Sequence, residues 1–332
     1  GSKENESTGF LTLPKNIEMP KPGDEDEVKV IAGSSQRILD NMNASLTIPI
    51  ATSQRTIAVK LLEENRIIIN QHLQRKNEGK ISFTHLISWA ILKGISIIPS
   101  MNNGFTIIDG KPNIITRKNV NLGLAIDIER KDGTRSLLVP NIKAANKLNF
   151  KEFWKAYEDI VVRSRKGTID PAEFLGTTVT LTNPGTIGTV SSIPRLMIGQ
   201  GAIIATGAIQ YNAEYQAMSS ATISSLGISK VMNITSTYDH RIIQGAESGM
   251  FLHEINELLL GKDGFYEEIF SALKIPSRPL QWESDYQPGG FDNAVSTDEI
   301  IKQAKVLQLI NMYRVRGHLL ADLDPLGTRA VY

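Results

Sequence analysis

The stretch 226-LGISKVMNITSTYDHRIIQGAESG-249 decides how this chain is read. Its first half, residues 226–238, is rich in β-branched residues. Apolar positions fall at Ile228, Val231, Met232 and Ile234, which predicts a strand. Its second half sets His240 between Asp239 and Arg241, followed by Gln244, Gly245, Glu247 and Gly249. That predicts a glycine-containing turn into a helix over about 244–260. Such junctions expose a side chain on a rigid base. An imidazole titrates near neutral pH and can take a proton from a thiol or a hydroxyl. His240 is therefore a candidate general base. The structural alternative is a His240–Asp239 pair that staples the turn, and local pattern supports the two equally.

A second stretch with chemical content is 180-TLTNPGTIGTVSSIPRL-196. A strand over 177–183 ends in Thr182, and Asn183-Pro184-Gly185 turns the chain. Thr182 could donate its hydroxyl hydrogen to a developing oxyanion. The alternative is an Asx-Pro turn capped by a threonine. The glycines of this region make no dinucleotide fingerprint, since Gly199-Gln200-Gly201 is followed by Ile204 where a third glycine is needed. No GxxxxGK[ST] run is present either.

The rest of the chain supplies the frame. A helix is expected from a Ser34 or Ser35 cap through about Ala44, then a strand running into a helix over 50–62. A second helix covers 61–76 and ends near Gly79, and a third covers 83–98 and stops before Pro99. Shorter β-like runs follow at 105–108, 113–116, 120–128 and 135–140. The amphipathic run 149–167 reads as a helix closed by Gly167. A strand at 201–209 and helices near 244–260 and 263–273 complete the region. Helices and strands mix without a strict βαβ repeat, so the predicted class is α+β with a mixed or antiparallel sheet. Residues 1–32 read as a tag remnant and linker, with Gly1-Ser2 expected to be a cleavage scar on a recombinant fragment. Residues 33–275 form the main domain, 276–295 a second linker, and 296–332 the start of another unit whose first helix runs to about Arg316.

Composition narrows the chemistry. The 36 basic and 35 acidic residues balance, which argues against nucleic acid or an anionic membrane as the main partner. There is no cysteine, hence no disulfide, thiolate nucleophile or cysteine-held metal. No membrane-span-length apolar run and no signal peptide is visible, and a cytoplasmic location is expected. Of the other histidines, His72 reads as solvated, His85 as a helix-start or core residue, and His253 as surface or packing. His318 lies near the C-terminus. None has HExxH spacing, so no metal is expected. A base and an oxyanion donor with no internal nucleophile suit acyl transfer between two thiols, where the substrate supplies the nucleophile.

The residues STYDHRIIQGAESG and TLTNPGTIGT resemble the catalytic domain of the 2-oxo acid dehydrogenase dihydrolipoyl acyltransferases, the E2 components, over about residues 33–275. With 41-NMNASLTIPIATSQR-55 and 79-GKISFTHLISWAI-91, the similarity is closer to the fused E2–E1 2-oxoglutarate dehydrogenases of actinobacteria and related bacteria. The run 304-AKVLQLINMYRVRGHLLADLDPLG-327 resembles the start of an E1 component. The resemblance implies a chloramphenicol acetyltransferase-like fold and a trimer with active sites between subunits. It implies His240 as the base, Thr182 as the oxyanion donor, and Asp239, Arg241, Gln244, Asn183 and Gly185 as supporting residues. Coenzyme A would be a substrate, the lipoyl group would come in trans from the lipoyl domain of a partner E2, and dihydrolipoyl dehydrogenase would join the wider complex. Thiamine diphosphate and Mg2+ would belong to E1. Gln244 departs from the family pattern DHRxxDG, in which an aspartate there makes a stiffening salt bridge. Glu247 is the residue expected to take over that role. The implied reaction is succinyl-dihydrolipoyl plus CoA to succinyl-CoA. The alternative is a catalytically weak trimeric scaffold that organises E1.

Overall fold

The computed structural model describes residues 20–129, 133, 135–282 and seven residues between 302 and 312. Two compact units divide the chain at Trp282. In the second unit Lys302, Lys305, Val306, Gln308, Leu309, Ile310 and Met312 are helical. The remainder of the helix expected over 296–316, with His318, lies outside the described residues.

Among the described residues, the first unit holds ten strands and seven α-helices. The helices are α1 (Ser34–Ser45), α2 (Lys60–Arg75), α3 (Phe83–Ile97), α4 (Phe150–Lys166), α5 (Ser220–Ser225), α6 (Gly245–Leu259) and α7 (Phe265–Ala272). The strands are β1 (Ile50–Ala58), β2 (Gly104–Ile108), β3 (Lys111–Ile115), β4 (Leu122–Leu124), β5 (Ile126–Glu129), β6 (Arg135–Leu138), β7 (Asn141–Ile142), β8 (Val179–Thr182), β9 (Ala202–Thr206) and β10 (Val231–Asp239). Six strands form one sheet in the order β1-β10-β9-β8-β4-β7. The pairs β8–β9 and β4–β8 run parallel and the others antiparallel, so the sheet is mixed, as predicted for the class. Hairpins β2–β3 and β5–β6 stand apart as two-stranded sheets.

Burial explains this order. β10 is flanked by β1 and β9, and from Ile234 to Asp239 every residue is buried. Ile234 and Tyr238 join the main core with Phe251, Leu252 and Ile255 of α6. α3 is buried almost all round, through Leu86, Ile87, Trp89, Ala90, Ile91 and Leu92, and so forms the centre of the helical layer. Burying each large apolar side chain of this kind contributes about 1.5–3 kcal/mol.

Local signals explain where the helices end. α4 opens on Asn149, whose side chain accepts from Glu152 N–H while Glu152 returns the bond to Asn149 N–H. It closes on Gly167 at φ 70°, as its sequence predicts. Other boundaries differ from expectation. Gly33, not a serine, stands at the cap position of α1. α2 ends at Arg75 rather than near Gly79, because Asn77 adopts φ 52° and Glu78 N–H reaches back to Leu73 C=O. The run 120–128 divides at Ala125 into β4 and β5, which belong to different sheets. The strand expected from 226 begins only at Val231, since α5 and its end occupy the residues just before it. Near the end of the unit, Asn65 on α2 holds both the N–H and the C=O of Leu280.

Candidate functional site

β10 carries His240 to the edge of the sheet. Asp239 N–H bonds Gly201 C=O at the start of β9, and His240 N–H bonds Pro49 C=O just before β1. The chain then folds back, because Ile242 and Ile243 both donate their N–H to Asp239 C=O. This tight turn brings Ile243 C=O to 3.2 Å from His240 Nδ1. A carbonyl can only accept, so Nδ1 carries the proton and Nε2 keeps its lone pair. The ring is exposed and meets the Tyr238 ring edge-on at 5.6 Å.

Asp239 works on Arg241 and not on the histidine. Its Oδ1 accepts from Arg241 N–H at 3.1 Å and from Nε at 2.9 Å, and its Oδ2 accepts from Nη2 at 2.6 Å. The carboxylate is 2% exposed, so this fork is a compensated buried charge. The guanidinium also lies 3.7 Å over the Phe105 ring of β2. The His240–Asp239 staple offered as the structural alternative is thus replaced by an Asp239–Arg241 clamp that fixes the turn beneath the ring. Gln244 occupies the cap position of α6 and is exposed, and its N–H donates to Glu247 Oε2 at 2.6 Å. Glu247 therefore satisfies the start of α6. Among the described residues it makes no ion pair within the chain, so the salt bridge expected of it is not formed there.

Thr182 is the last residue of β8 and is half-buried. The turn after it is held on three sides. Asn183 Nδ2 donates to Thr84 Oγ1 on α3 at 2.9 Å. Gly185 packs on the Gly207–Ala208 backbone so closely that a Cβ would sit 2.3 Å from Gly207 C and O. Thr186 Oγ1 donates to Asn183 C=O at 3.2 Å. Ala208 N–H bonds Thr189 C=O, and Thr235 Oγ1 bonds Ser192 C=O, so the chain beyond the turn is fastened across β9 and β10.

One chain does not bring the two candidate groups together. Thr182 pairs with Ala205 on β9, whereas Tyr238 pairs with Ala202 and Asp239 bonds Gly201. His240 and Thr182 thus lie toward opposite ends of β9 and on strands either side of it. At about 3.3 Å per residue along a strand and 4.8 Å between strands, they are roughly 19 Å apart.

Among the described residues, His72, His85 and His253 stay outside this site. His85 is 1% exposed and opens α3, where its Nδ1 accepts Ser82 N–H and its Nε2 lies 3.0 Å from Glu158 Oε1. That contact holds the Glu158 carboxyl below its ordinary range. His72 is half-buried with Nε2 shielded from solvent, not solvated as expected. His253 is exposed on α6. Among the described residues, no helix is long and apolar enough to cross a membrane.

Sequence reasoning missed Thr84, Phe105 and the Ile243 and Pro49 carbonyls. Only Ile243, three residues from His240, had a local signal. The others reach the site from distant segments.

A strand-end histidine with a free Nε2, the Asp239–Arg241 clamp and the turn at Thr182 occur in a domain that matches the family model of the 2-oxoacid dehydrogenases acyltransferase (catalytic domain) over residues 23–263. The chain belongs to that family, and its class is an acyltransferase catalytic domain of the E2 type. A relative from Mycobacterium sp. (strain JLS), the Multifunctional 2-oxoglutarate metabolism enzyme, is 52% identical over 303 residues, 91% of this chain and 23% of the relative. The Mycolicibacterium vanbaalenii enzyme of the same name is likewise 52% identical, over 91% of this chain and 24% of its own. The chain therefore spans about a quarter of the length of these relatives. Among solved structures, the probable dihydrolipoamide acetyltransferase of Listeria monocytogenes 4b F2365 superposes with a TM-score of 0.60 at 22% identity, covering 78% of this chain and all of that one. The dihydrolipoamide acetyltransferase of Azotobacter vinelandii superposes at 0.61 with 22% identity, covering 73% and 97%. The fold is that of these catalytic cores.

Proposed function

We propose that this domain moves a succinyl group between a dihydrolipoyl thiol and coenzyme A, at a site completed by two copies of the chain. The observation that carries the reading is the state of His240: the Ile243 carbonyl holds Nδ1, and Nε2 is left with a lone pair on an exposed ring. Nε2 takes the proton of the CoA thiol. The thiolate sulfur attacks the thioester carbonyl of succinyl-dihydrolipoamide and forms a new C–S bond. Thr182 donates its hydroxyl hydrogen to the oxyanion that develops. Collapse breaks the C–S bond to the lipoyl sulfur, which leaves as thiol with the proton from the imidazolium. The separation of roughly 19 Å within one chain favours Thr182 from a neighbouring copy as the donor to each His240. A closed trimer supplies such a neighbour to every copy.

The succinyl assignment rests on the relatives' name, since loss of CO2 from 2-oxoglutarate leaves a succinyl unit. The lipoyl group arrives in trans on a partner's lipoyl domain. Thiamine diphosphate, Mg2+ and dihydrolipoyl dehydrogenase belong to the wider complex, and a bacterial cytoplasm is the compartment proposed for it. Gln244 is compatible with activity in this reading. A crystallographic and enzymatic study of the Azotobacter vinelandii acetyltransferase addressed a serine, a histidine and an asparagine four residues after that histidine, and Gln244 supplies an amide at the same spacing from His240.

The test is thiol-to-thiol succinyl transfer by the purified chain, with succinyl-CoA and dihydrolipoamide, beside His240→Ala. Transfer that disappears in the variant supports the proposal. A folded trimer that transfers nothing supports the scaffold reading instead. To test sharing, His240→Ala chains and Thr182→Ala chains, whose kcat should be lowered on the order of 100-fold, are unfolded and refolded together. Recovered activity supports a site built from two copies, and no recovery from well-formed mixed trimers removes it.

A further inference from the structure

The turn that carries Thr182 is tied to the helical layer by a side-chain hydrogen bond. Asn183 Nδ2 donates to Thr84 Oγ1 at 2.9 Å. Thr84 is the second residue of α3 and among the most firmly placed hydroxyls near the site. One residue before it, Phe83 is covered by the Arg66 guanidinium at 4.0 Å. One residue after it, His85 closes the capping box with Ser82. The Thr84 carbonyl accepts Ser88 Oγ at 2.6 Å, and the helix that follows is buried on nearly every side. A hydroxyl fixed in this way is a stationary anchor.

The rest of the turn is fastened to the sheet, through Gly185 against the Gly207–Ala208 backbone and Ala208 N–H on Thr189 C=O. Without the Thr84 contact, the Asn183 side chain would lose its tie to α3, leaving the Thr186 Oγ1 bond to its carbonyl and the chain between Thr182, the end of β8, and Gly185. The two attachments together fix the segment that follows Thr182.

We propose that Thr84 is a positioning residue: by accepting the Asn183 amide it locks the turn that aims the Thr182 hydroxyl at the oxyanion. The inference rests on the role proposed above for Thr182. The anchor acts on the transition state, because a donor displaced by a fraction of an ångström still permits substrate binding but aims less well at developing charge. Losing it should therefore appear in kcat and not in KM.

The experiment is a double-mutant cycle between Thr84→Val and Thr182→Ala, read as kcat and KM for succinyl transfer, with Thr84→Ser and thermal unfolding as companions. Valine keeps the shape of threonine and removes the acceptor. Expected is a fall in kcat of about tenfold for Thr84→Val, with KM and Tm near those of the parent. Thr84→Ser should restore kcat. In the Thr182→Ala background the same change should cost less than twofold, since no donor is left to aim. A tenfold loss that persists in that background, or a kcat unchanged by Thr84→Val, overturns the proposal. Should Thr84→Val lower Tm sharply, Thr84→Ser decides: recovery of kcat to the parent value upholds the anchor, and failure to recover counts against it. If Thr182→Ala itself leaves kcat unchanged, it is the proposed role of Thr182 that fails.

Discussion

Replacing Gly185 with alanine tests how closely the turn beside Thr182 is built. A Cβ on Gly185 would stand 2.3 Å from both C and O of Gly207 and 2.6 Å from Ala208 N. Carbon atoms at rest approach to about 3.5 Å, so one backbone must retreat by roughly 1 Å. Neither side is a flexible side chain. Gly207 is itself hemmed in, because its own Cβ position lies 1.9 Å from Val190 C=O. Strain of this kind costs about 1–3 kcal/mol, and each kcal/mol lowers Tm by about 2–4 °C in a domain of this size. Catalysis should suffer more. A misplacement of about 1 Å in a positioned group costs on the order of 100-fold in rate, and Thr182 is three residues from the new methyl. The assay is kcat for succinyl transfer beside a thermal melt and a mass measurement of the oligomer. Expected is a folded oligomer with kcat down by on the order of 100-fold and a modest drop in Tm. A Gly185→Ala protein within about threefold of parental kcat would mean that the turn tolerates the shift, and the argument that it aims Thr182 would be wrong.

Three further outcomes follow from the same contacts. Asp239→Asn removes the charge from a carboxylate that takes three hydrogen bonds from Arg241; with the guanidinium left partly in solvent, it should destabilise the domain by about 1–3 kcal/mol in denaturant melts, and a stability equal to the parent's would contradict the clamp. The Glu158 and Glu173 carboxyls are held below their usual 4.5, by the His85 hydrogen bond and the Arg163 fork respectively. Depressed carboxylates contribute stability that is present above the unfolded value and lost as pH falls through the folded one, so stability should fall below about pH 4.5, and Glu173→Gln should flatten that acid limb; an unchanged slope refutes the assignment. Asn65→Ala frees both backbone groups of Leu280, so limited proteolysis should cut sooner near residue 280 while kcat stays put, and an unchanged cleavage rate would show that other contacts hold the segment.

Much of the site was legible locally. The β-branched run up to Asp239, the glycine after the turn and the apolar face of α6 all sit within about two dozen residues. Their order alone placed His240 at a strand end before a helix, where it is. Gly167 announced the end of α4 for the same reason, since caps act within one helical turn. The partner of Asp239 was not legible in the same way. Both neighbours, His240 and Arg241, were within reach, and only the backward fold of the turn decided that the carboxylate faces the guanidinium.

Sequence by itself therefore determined most of the helices and strands, the Gly167 end of α4, the α+β class and the two residues on which the chemistry is proposed to rest. Tertiary structure decided the rest. The run 120–128 looked like one strand, but β4 found its partners in β7 and β8 while β5 paired with β6, and the chain parts at Ala125. Residues 226–230 have strand-like composition but no strand beside them, and the ladder starts only where Val231 meets Ala58. The distance between His240 and Thr182 also belongs to this second class. It depends on the register of β8, β9 and β10, three segments brought together from across the chain. Helix signals are local because each hydrogen bond closes within four residues. A sheet ladder closes between residues of any separation, so its order and register are settled only when the whole core packs.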